Sequence, residues 1–140
     1  MAEKEAPLVT VIDDEEDVLT FLRLALEDHG YRVTATTKPG EALALMKRDQ
    51  PAVVLLDLVM PKQTGLSVYA EILEEPALSE VQVLFLSALN LGQEFEELLG
   101  RQVTLSPPAG FVEKPVDLQK LLETLETVLA RRPEAGEGAP

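Results

Sequence analysis

The sequence predicts an α/β fold in which a parallel sheet is covered by helices on both faces. Short apolar segments alternate five times with stretches whose apolar residues recur at helical spacing. The segments are apolar at consecutive positions, as in 53–56 and 83–86, and strands buried on both faces have this composition. The length of 140 residues is that of one ordinary domain.

The first two β–α units occupy the N-terminal third of the chain. The β-branched run LVTVI predicts a strand over 8–12, and the helix after it ends where Gly30 can form a C-terminal cap. One face of that helix carries four apolar residues, which are Val18, Leu22, Ala25 and Leu26. A second strand is predicted over 31–35, followed by a helix over 38–50 with Pro39 in its first turn.

The third unit combines a strand over 52–57 with a helix over 64–75 that Pro76 ends. This strand is unusual because it ends in a carboxylate, Asp57, and an unpaired buried carboxylate costs several kcal/mol or more. The rest of the sequence has to explain its presence.

The last two units begin with strands over 81–87 and 110–114. The first of these strands precedes a fourth helix over 90–100 and an extended, proline-containing loop over 101–109. The second precedes a fifth helix, whose apolar face consists of Leu118, Leu121, Leu122, Leu125, Val128 and Leu129.

Composition excludes several classes of protein. The formal net charge is −13, and such a field repels phosphate backbones, so we expect no direct nucleic-acid binding. The chain has no cysteine, which excludes disulfides and thiolate metal sites. We find neither a signal-peptide pattern nor an apolar run long enough to span a bilayer. We therefore expect a cytoplasmic protein that does not enter a membrane.

Polar side chains lie at the ends of four predicted strands. Parallel strands present their carboxyl ends at one edge of the sheet, where ligands bind in such folds, and the residues at those ends are Asp13, Asp57, Ser87 and Lys114. Asp14 adds a third carboxylate, and Lys114 offsets only one of the three charges. Clustered carboxylate oxygens suit a hard cation such as Mg²⁺. A carboxylate with a metal, an ammonium and a hydroxyl nearby could carry out phosphoryl transfer.

Four motifs, VIDDEED, LLDLVMPKQTG, FLSA and GFVEKP, resemble in order and spacing the receiver domain of two-component response regulators. The resemblance implies a flavodoxin-like, doubly wound (βα)5 fold with strand order 2-1-3-4-5. The match covers a receiver domain over 8–132 and leaves an N-terminal extension over 1–7, and the linker composition of 133–140 predicts a flexible C-terminal tail.

The resemblance also implies roles for individual residues. Asp57 would be the phosphoacceptor. The ligands of Mg²⁺ would be Asp13, Asp14, Asp57 and the backbone carbonyl of Val59. The phosphoryl-binding and switch residues would be Ser87, Lys114 and Phe111, and the structural residues would be Gly65 and a typically cis Pro115. Glu15, Glu16 and Asp17 are interpreted as a helix N-terminus, and His29 as a solvated residue.

The implied partners are proteins. The phosphodonor would be a sensor histidine kinase or a histidine phosphotransfer protein, and the output would be a contact made by the helix 4–strand 5–helix 5 face. The chain would be a signalling switch that takes part in its own phosphorylation and dephosphorylation, rather than a turnover enzyme. It would be a monomer or a dimer linked to phosphorylation.

The apolar Val59 and Leu89 occupy positions that flank the path of hydrolytic water in the family. Neither side chain can hydrogen-bond that water, so we expect slow dephosphorylation.

Three alternatives remain at this stage. The chain could be a receiver excised from a longer multidomain regulator, or a degenerate receiver that serves as a scaffold, although the complete set of site residues argues against the latter. It could also be a phosphohydrolase of the haloacid dehalogenase type. That family needs a second acid two residues after the nucleophile, where this chain has Val59.

Overall fold

Five parallel strands form a single sheet with the order β2-β1-β3-β4-β5, which confirms the predicted fold class. This computed structural model describes residues 6–60, 63–88 and 108–131. The strands are β1 (Leu8–Ile12), β2 (Arg32–Thr36), β3 (Val53–Asp57), β4 (Gln82–Ser87) and β5 (Gly110–Glu113).

Helices cover both faces of this sheet. They are α1 (Glu16–Asp28), α2 (Ala42–Asp49), α3 (Gly65–Leu73) and a C-terminal helix (Leu118–Arg131). The predicted fourth helix over 90–100 and the loop over 101–109 fall wholly or largely outside the described residues. Within the described ranges, no helix combines the length and the apolar content that crossing a membrane requires.

Two apolar layers hold the helices against the sheet. On one face, β3 and β4 pack against α2 and α3 through residues such as Leu56, Phe85, Met46, Val68 and Ile72. On the other face, the same strands pack against α1 and the C-terminal helix through residues such as Leu55, Leu84, Leu22, Leu26 and Leu125. Because β3 is buried on both faces, every residue from Val53 to Leu56 contributes to one layer or the other.

The end of α1 decides where β2 begins. His29 occupies the C-cap position, and Gly30 follows with a φ of 91°, a conformation that favours glycine. The N–H of Gly30 donates to the carbonyl of Glu27, and that of Tyr31 to the carbonyl of Leu26, as in a Schellman motif. Tyr31 is thereby part of the helix cap. For this reason β2 starts one residue later than predicted.

Prolines move two other boundaries away from the sequence prediction. The segment predicted as one helix over 38–50 begins with a 3-10 turn (Pro39–Glu41), and only then continues as α2. Such tighter turns are common at helix N-termini. The third helix ends at Leu73, and Pro76 opens a second 3-10 turn (Pro76–Leu78) instead of ending the helix directly.

Residues 6 and 7, which the sequence assigns to an N-terminal extension, contact β2. The side chain of Arg32 donates a hydrogen bond to the carbonyl of Ala6, and its backbone N–H donates to the carbonyl of Pro7. The other residues of that extension and the tail over 133–140 lie outside the described residues.

The end of β3 lies directly against the start of α3. Thr64 caps α3, since its hydroxyl accepts a hydrogen bond from the N–H of Ser67. The N–H of Gly65 donates to the carbonyl of Leu58 over 2.8 Å. A Cβ atom on Gly65 would collide with the backbone carbonyl of Asp57 and would lie 2.9 Å from Cα of Leu58. Only glycine allows this approach, so Gly65 fixes the position of the Asp57 backbone.

We expect Gly65→Ala to lower the free energy of unfolding by about 2 kcal/mol, because the added methyl group must displace backbone atoms. Urea denaturation measures this loss. Gly40→Ala is the matched control, since a Cβ at Gly40 meets no atom within 4 Å, and its effect should stay within about 0.5 kcal/mol. Equal stabilities of the two variants would contradict the close approach.

Candidate functional site

Four strand ends bring polar side chains to one edge of the sheet. Asp13 follows β1, Asp57 ends β3, Ser87 ends β4 and Lys114 follows β5. Asp13, Asp57 and Ser87 are each at least 95% buried. Burial of three polar side chains at one place in a small domain indicates a site with a function other than stability.

Backbone hydrogen bonds extend the strand pairing into the site. The N–H of Lys114 donates to the carbonyl of Ser87 over 2.8 Å, and the N–H of Leu58 donates to the carbonyl of Leu86 over 2.9 Å. The N–H of Glu15 donates to Oδ1 of Asp13 over 2.9 Å, which turns the chain from β1 into α1. These bonds fix the site residues relative to the sheet.

One ammonium group, that of Lys114, lies close to three carboxylates. Nζ of Lys114 lies 2.8 Å from Oδ2 of Asp13, 3.6 Å from Oδ2 of Asp57 and 3.6 Å from Oε1 of Glu15. Burial by itself would lower the pKa of Lys114, but the adjacent Asp13 carboxylate, with Asp57 and Glu15, raises it above its ordinary value. Lys114 therefore stays charged at neutral pH.

The carboxylate cluster fits a divalent cation. Asp13, Asp14 and Asp57 each place one oxygen within 4.8 Å of the others, and Asp14 is the most exposed of the three. Oδ2 of Asp13 is fully buried, and among the described residues its one ion-pair partner is the Lys114 ammonium at 2.8 Å, which leaves a lone pair of this oxygen for a cation. A buried oxygen with unused acceptor capacity beside two further carboxylates suits a hard cation such as Mg²⁺.

Burial and a neighbouring negative charge disfavour the ionised form of Asp57. Burial raises the pKa of Asp57 to about 7, the negative charge of Asp13 acts in the same direction, and the positive charge of Lys114 opposes both. The free carboxyl group thus titrates near neutrality, and any cation placed beside it would favour the ionised form.

Comparison of the chain with models of protein families identifies the family to which it belongs. The model of the response regulator receiver domain matches residues 9–126, which is most of the chain. The chain belongs to the response regulator receiver domain family. Receivers are phosphorylated switches in two-component signalling, and they interact with histidine kinases and downstream targets.

Among curated receiver proteins, protein PilH of Pseudomonas aeruginosa is 29% identical over 122 residues, which are 87% of this chain and 97% of PilH. Other relatives are longer. The probable transcriptional regulator ycf27 of Porphyra purpurea is 30% identical, and the chain spans about half its length.

Solved receiver structures have the same fold. The chemotaxis response regulator CheY4 of Vibrio cholerae has a TM-score of 0.77 and 25% identity, covering 88% of this chain and 98% of CheY4. The receiver domain of the sensor histidine kinase PA1611 from Pseudomonas aeruginosa has a TM-score of 0.77 at 22% identity, covering 89% and 98%. In that protein a magnesium ion is coordinated in the active site cleft.

Of the remaining residues that the receiver resemblance identified, all but one lie within the described residues. The Lys114–Pro115 peptide bond is cis. The Val59 side chain is 62% exposed, and its N–H donates to Oδ1 of Asp57 over 3.3 Å. Phe111 is 39% exposed on β5, at the edge of the sheet. Leu89 lies outside the described residues.

Two features of the receiver site are not among those that the sequence predicts. Glu15 was assigned to the helix N-terminus alone, yet its carboxylate reaches Lys114. Phe21 lies outside the apolar stripe of α1, is 46% exposed and lines an open recess of about 540 Å³. The recess is also lined by Val18, Ala88, Lys114, Pro115 and Val116. An apolar residue off the buried stripe of a helix was the available signal for this recess.

The raised pKa of Asp57 predicts a pH-dependent stability without divalent cations. The unfolded carboxyl group titrates near pH 4, so between about pH 4 and pH 7 the folded protein holds a proton that the unfolded chain lacks. The contribution of Asp57 to stability is therefore lost as the pH rises through this window. Asp57→Asn should gain stability over wild type, on the order of a few kcal/mol, between pH 4 and pH 8.

Urea denaturation in EDTA across this pH range measures that gain. Asp28→Asn, which alters an exposed carboxylate at the end of α1, is the control for removing a carboxylate at the protein surface. A constant difference between Asp57→Asn and wild type would show that burial leaves the carboxyl group of Asp57 unperturbed.

Proposed function

We propose that the chain is a signalling switch that accepts a phosphoryl group on Asp57 in a Mg²⁺-dependent reaction. The observation that supports this function best is the position of the Asp57 carboxylate, at the end of a buried strand and 3.6 Å from the Lys114 ammonium. A carboxylate held there costs stability and contributes nothing to packing, so its presence needs a chemical reason.

The transfer would proceed by attack of a carboxylate oxygen of Asp57 on phosphorus. The new O–P bond forms as the P–N bond of a donor phosphohistidine breaks, and the imidazole leaves with the bonding electron pair. Lys114 would neutralise an equatorial phosphoryl oxygen, and the Ser87 hydroxyl would donate a hydrogen bond to another. The product is an acyl phosphate on a buried carboxylate.

Magnesium would be held by Asp13, Asp14, Asp57 and the backbone carbonyl of Val59. When bound, the cation supplies positive charge that favours the ionised carboxylate and neutralises phosphoryl oxygens. The chain's own contribution is the arrangement of these oxygens, and above all the unused acceptor capacity of Oδ2 of Asp13.

The donor would be a sensor histidine kinase or a histidine phosphotransfer protein. The open recess beside Phe21 supports a protein donor, because an exposed apolar surface next to a reactive group suits contact with another protein. The output would be a protein contact on the face that contains β5 and the C-terminal helix, together with the predicted fourth helix.

With Mg²⁺ and acetyl phosphate, we expect the wild-type protein to gain one phosphoryl group, because Asp57 is then ionised and its charge is compensated. Intact-mass spectrometry measures the gain. Asp57→Asn should gain none, and Asp28→Asn should match wild type. Labelling that persists in Asp57→Asn would exclude Asp57 as the phosphoacceptor, and labelling that is complete without a divalent cation would contradict the Mg²⁺ dependence.

Val59 is proposed to slow the loss of the phosphoryl group. Its side chain is exposed, its N–H donates to the Asp57 carboxylate, and an apolar group cannot orient an attacking water. Val59→Asn combined with Leu89→Glu should speed hydrolysis about tenfold, which is about 1.4 kcal/mol of barrier. Decay of the labelled protein, followed by mass spectrometry, measures the rate.

Val59→Ala is the control for this prediction, because it opens the site without adding a group that can bind water. It should decay at nearly the wild-type rate. Wild-type decay within seconds, or acceleration by Val59→Ala equal to that of the polar variant, would contradict a role in orienting water.

A further inference from the structure

Three aromatic rings lie side by side between α3 and the edge of the sheet. The ring of Tyr69 meets that of Phe85 edge-on, with centroids 5.3 Å apart and planes at 74°. The ring of Phe85 then lies almost parallel to that of Phe111, with centroids 6.2 Å apart and planes at 19°. We call these three residues the aromatic row. Its middle member is fully buried, and its outer member, Phe111, is partly exposed.

The strand register connects the aromatic row to the phosphorylation site. Phe85 pairs with Phe111 across β4 and β5, and Ser87 follows Phe85 by two residues on the same face of the sheet. A ring that turned from the edge of the sheet toward Ser87 would lose its near-parallel arrangement with Phe85. Phe111 can therefore either stack on Phe85 at the edge of the sheet, which we call its outward position, or turn toward Ser87, which we call its inward position. It cannot do both.

We propose that Phe85 is a positioning residue that holds Phe111 in its outward position and so sets the equilibrium of the switch before phosphorylation. This inference rests on the proposed function and on the switch roles that the receiver resemblance implies for Ser87 and Phe111: on phosphorylation, Ser87 would move toward the phosphoryl group and Phe111 would turn inward. Phe85 cannot follow Phe111, because it is buried on β4 in the core cluster that includes residues of β3 and α3, with Tyr69 against it. The outward position alone keeps the ring contact.

Replacing Phe85 by leucine changes both sides of this equilibrium in the same direction. The outward position loses its ring partner, and the smaller side chain leaves more room on the face that carries Ser87. Loss of an aromatic pair of ordinary strength should raise the ratio of the inward to the outward population about fivefold. Because a ligand of the inward state binds in proportion to the population of that state, its apparent affinity should rise by the same factor.

The decisive experiment is a double-mutant cycle on the binding of beryllofluoride, a phosphoryl mimic, in the presence of Mg²⁺. The four proteins are wild type, Phe85→Leu, Phe111→Leu and the double variant. Phe85→Leu should lower the Kd about fivefold, whereas the same change in the Phe111→Leu background should leave the Kd unchanged. A purely structural role of Phe85 would alter stability without this dependence on Phe111.

An unchanged Kd for Phe85→Leu, or an equal decrease in both backgrounds, would overturn the inference while leaving the proposed function intact. Failure of wild type to bind beryllofluoride, or equal binding by Asp57→Asn, would overturn the proposed function and the inference with it. The two failures are therefore distinguishable.

A second measurement decides the question without the leucine variant, should that variant not fold. The chain has four phenylalanines, so labelling with 4-fluorophenylalanine gives a simple fluorine NMR spectrum. Beryllofluoride with Mg²⁺ should shift the resonances of Phe85 and Phe111 together, because separating two rings changes the field at both. Phe21→Leu assigns the exposed ring on α1 and should leave these shifts unaltered. Movement of the Phe111 resonance with none at Phe85 would overturn the proposal.

Discussion

The register of four adjacent parallel strands is the constraint on which the rest of this structure depends. β1, β3, β4 and β5 each carry one site residue at or just beyond the carboxyl end, and the strand pairing brings these residues together. Because side chains alternate between the two faces of a strand, a slip of one residue would turn a site residue to the other face. The two apolar layers fix the register, since a slip would also exchange the buried residues of each layer.

Electrostatic imbalance gives the site its chemical character. Asp13 and Asp57 are almost fully buried, and Lys114 has to compensate both while it also contacts Glu15. The fold tolerates this arrangement because two large apolar layers stabilise it elsewhere. The same imbalance suits a cation site, and burial together with the negative charge of Asp13 raises the pKa of Asp57.

Local sequence signals predicted the elements well, and their errors have physical causes. Apolar runs located β1, β3 and β4, because strands buried on both faces leave an unambiguous pattern, whereas the edge strands β2 and β5 are partly exposed and leave a weaker one. The observed boundaries differ from the predicted ones where local backbone hydrogen bonds, which the apolar pattern does not encode, decide the structure. Tyr31 belongs to the cap of α1 and not to β2, and Pro39 begins a 3-10 turn and not an α-helix. The contact of Glu15 with Lys114 was missed because the two residues belong to different β–α units.

The sequence by itself determined the fold class, the family and the set of polar residues at the strand ends, because hydrophobic periodicity and short motifs are local properties of the chain. The tertiary structure decided how those residues interact. Three features involve residues from separate strands. They are the three carboxylates around one ammonium, the buried oxygen of Asp13 with unused acceptor capacity, and the stacking of Phe85 on Phe111. Distances of this kind depend on sheet order, register and packing together, and no single segment of the sequence contains them.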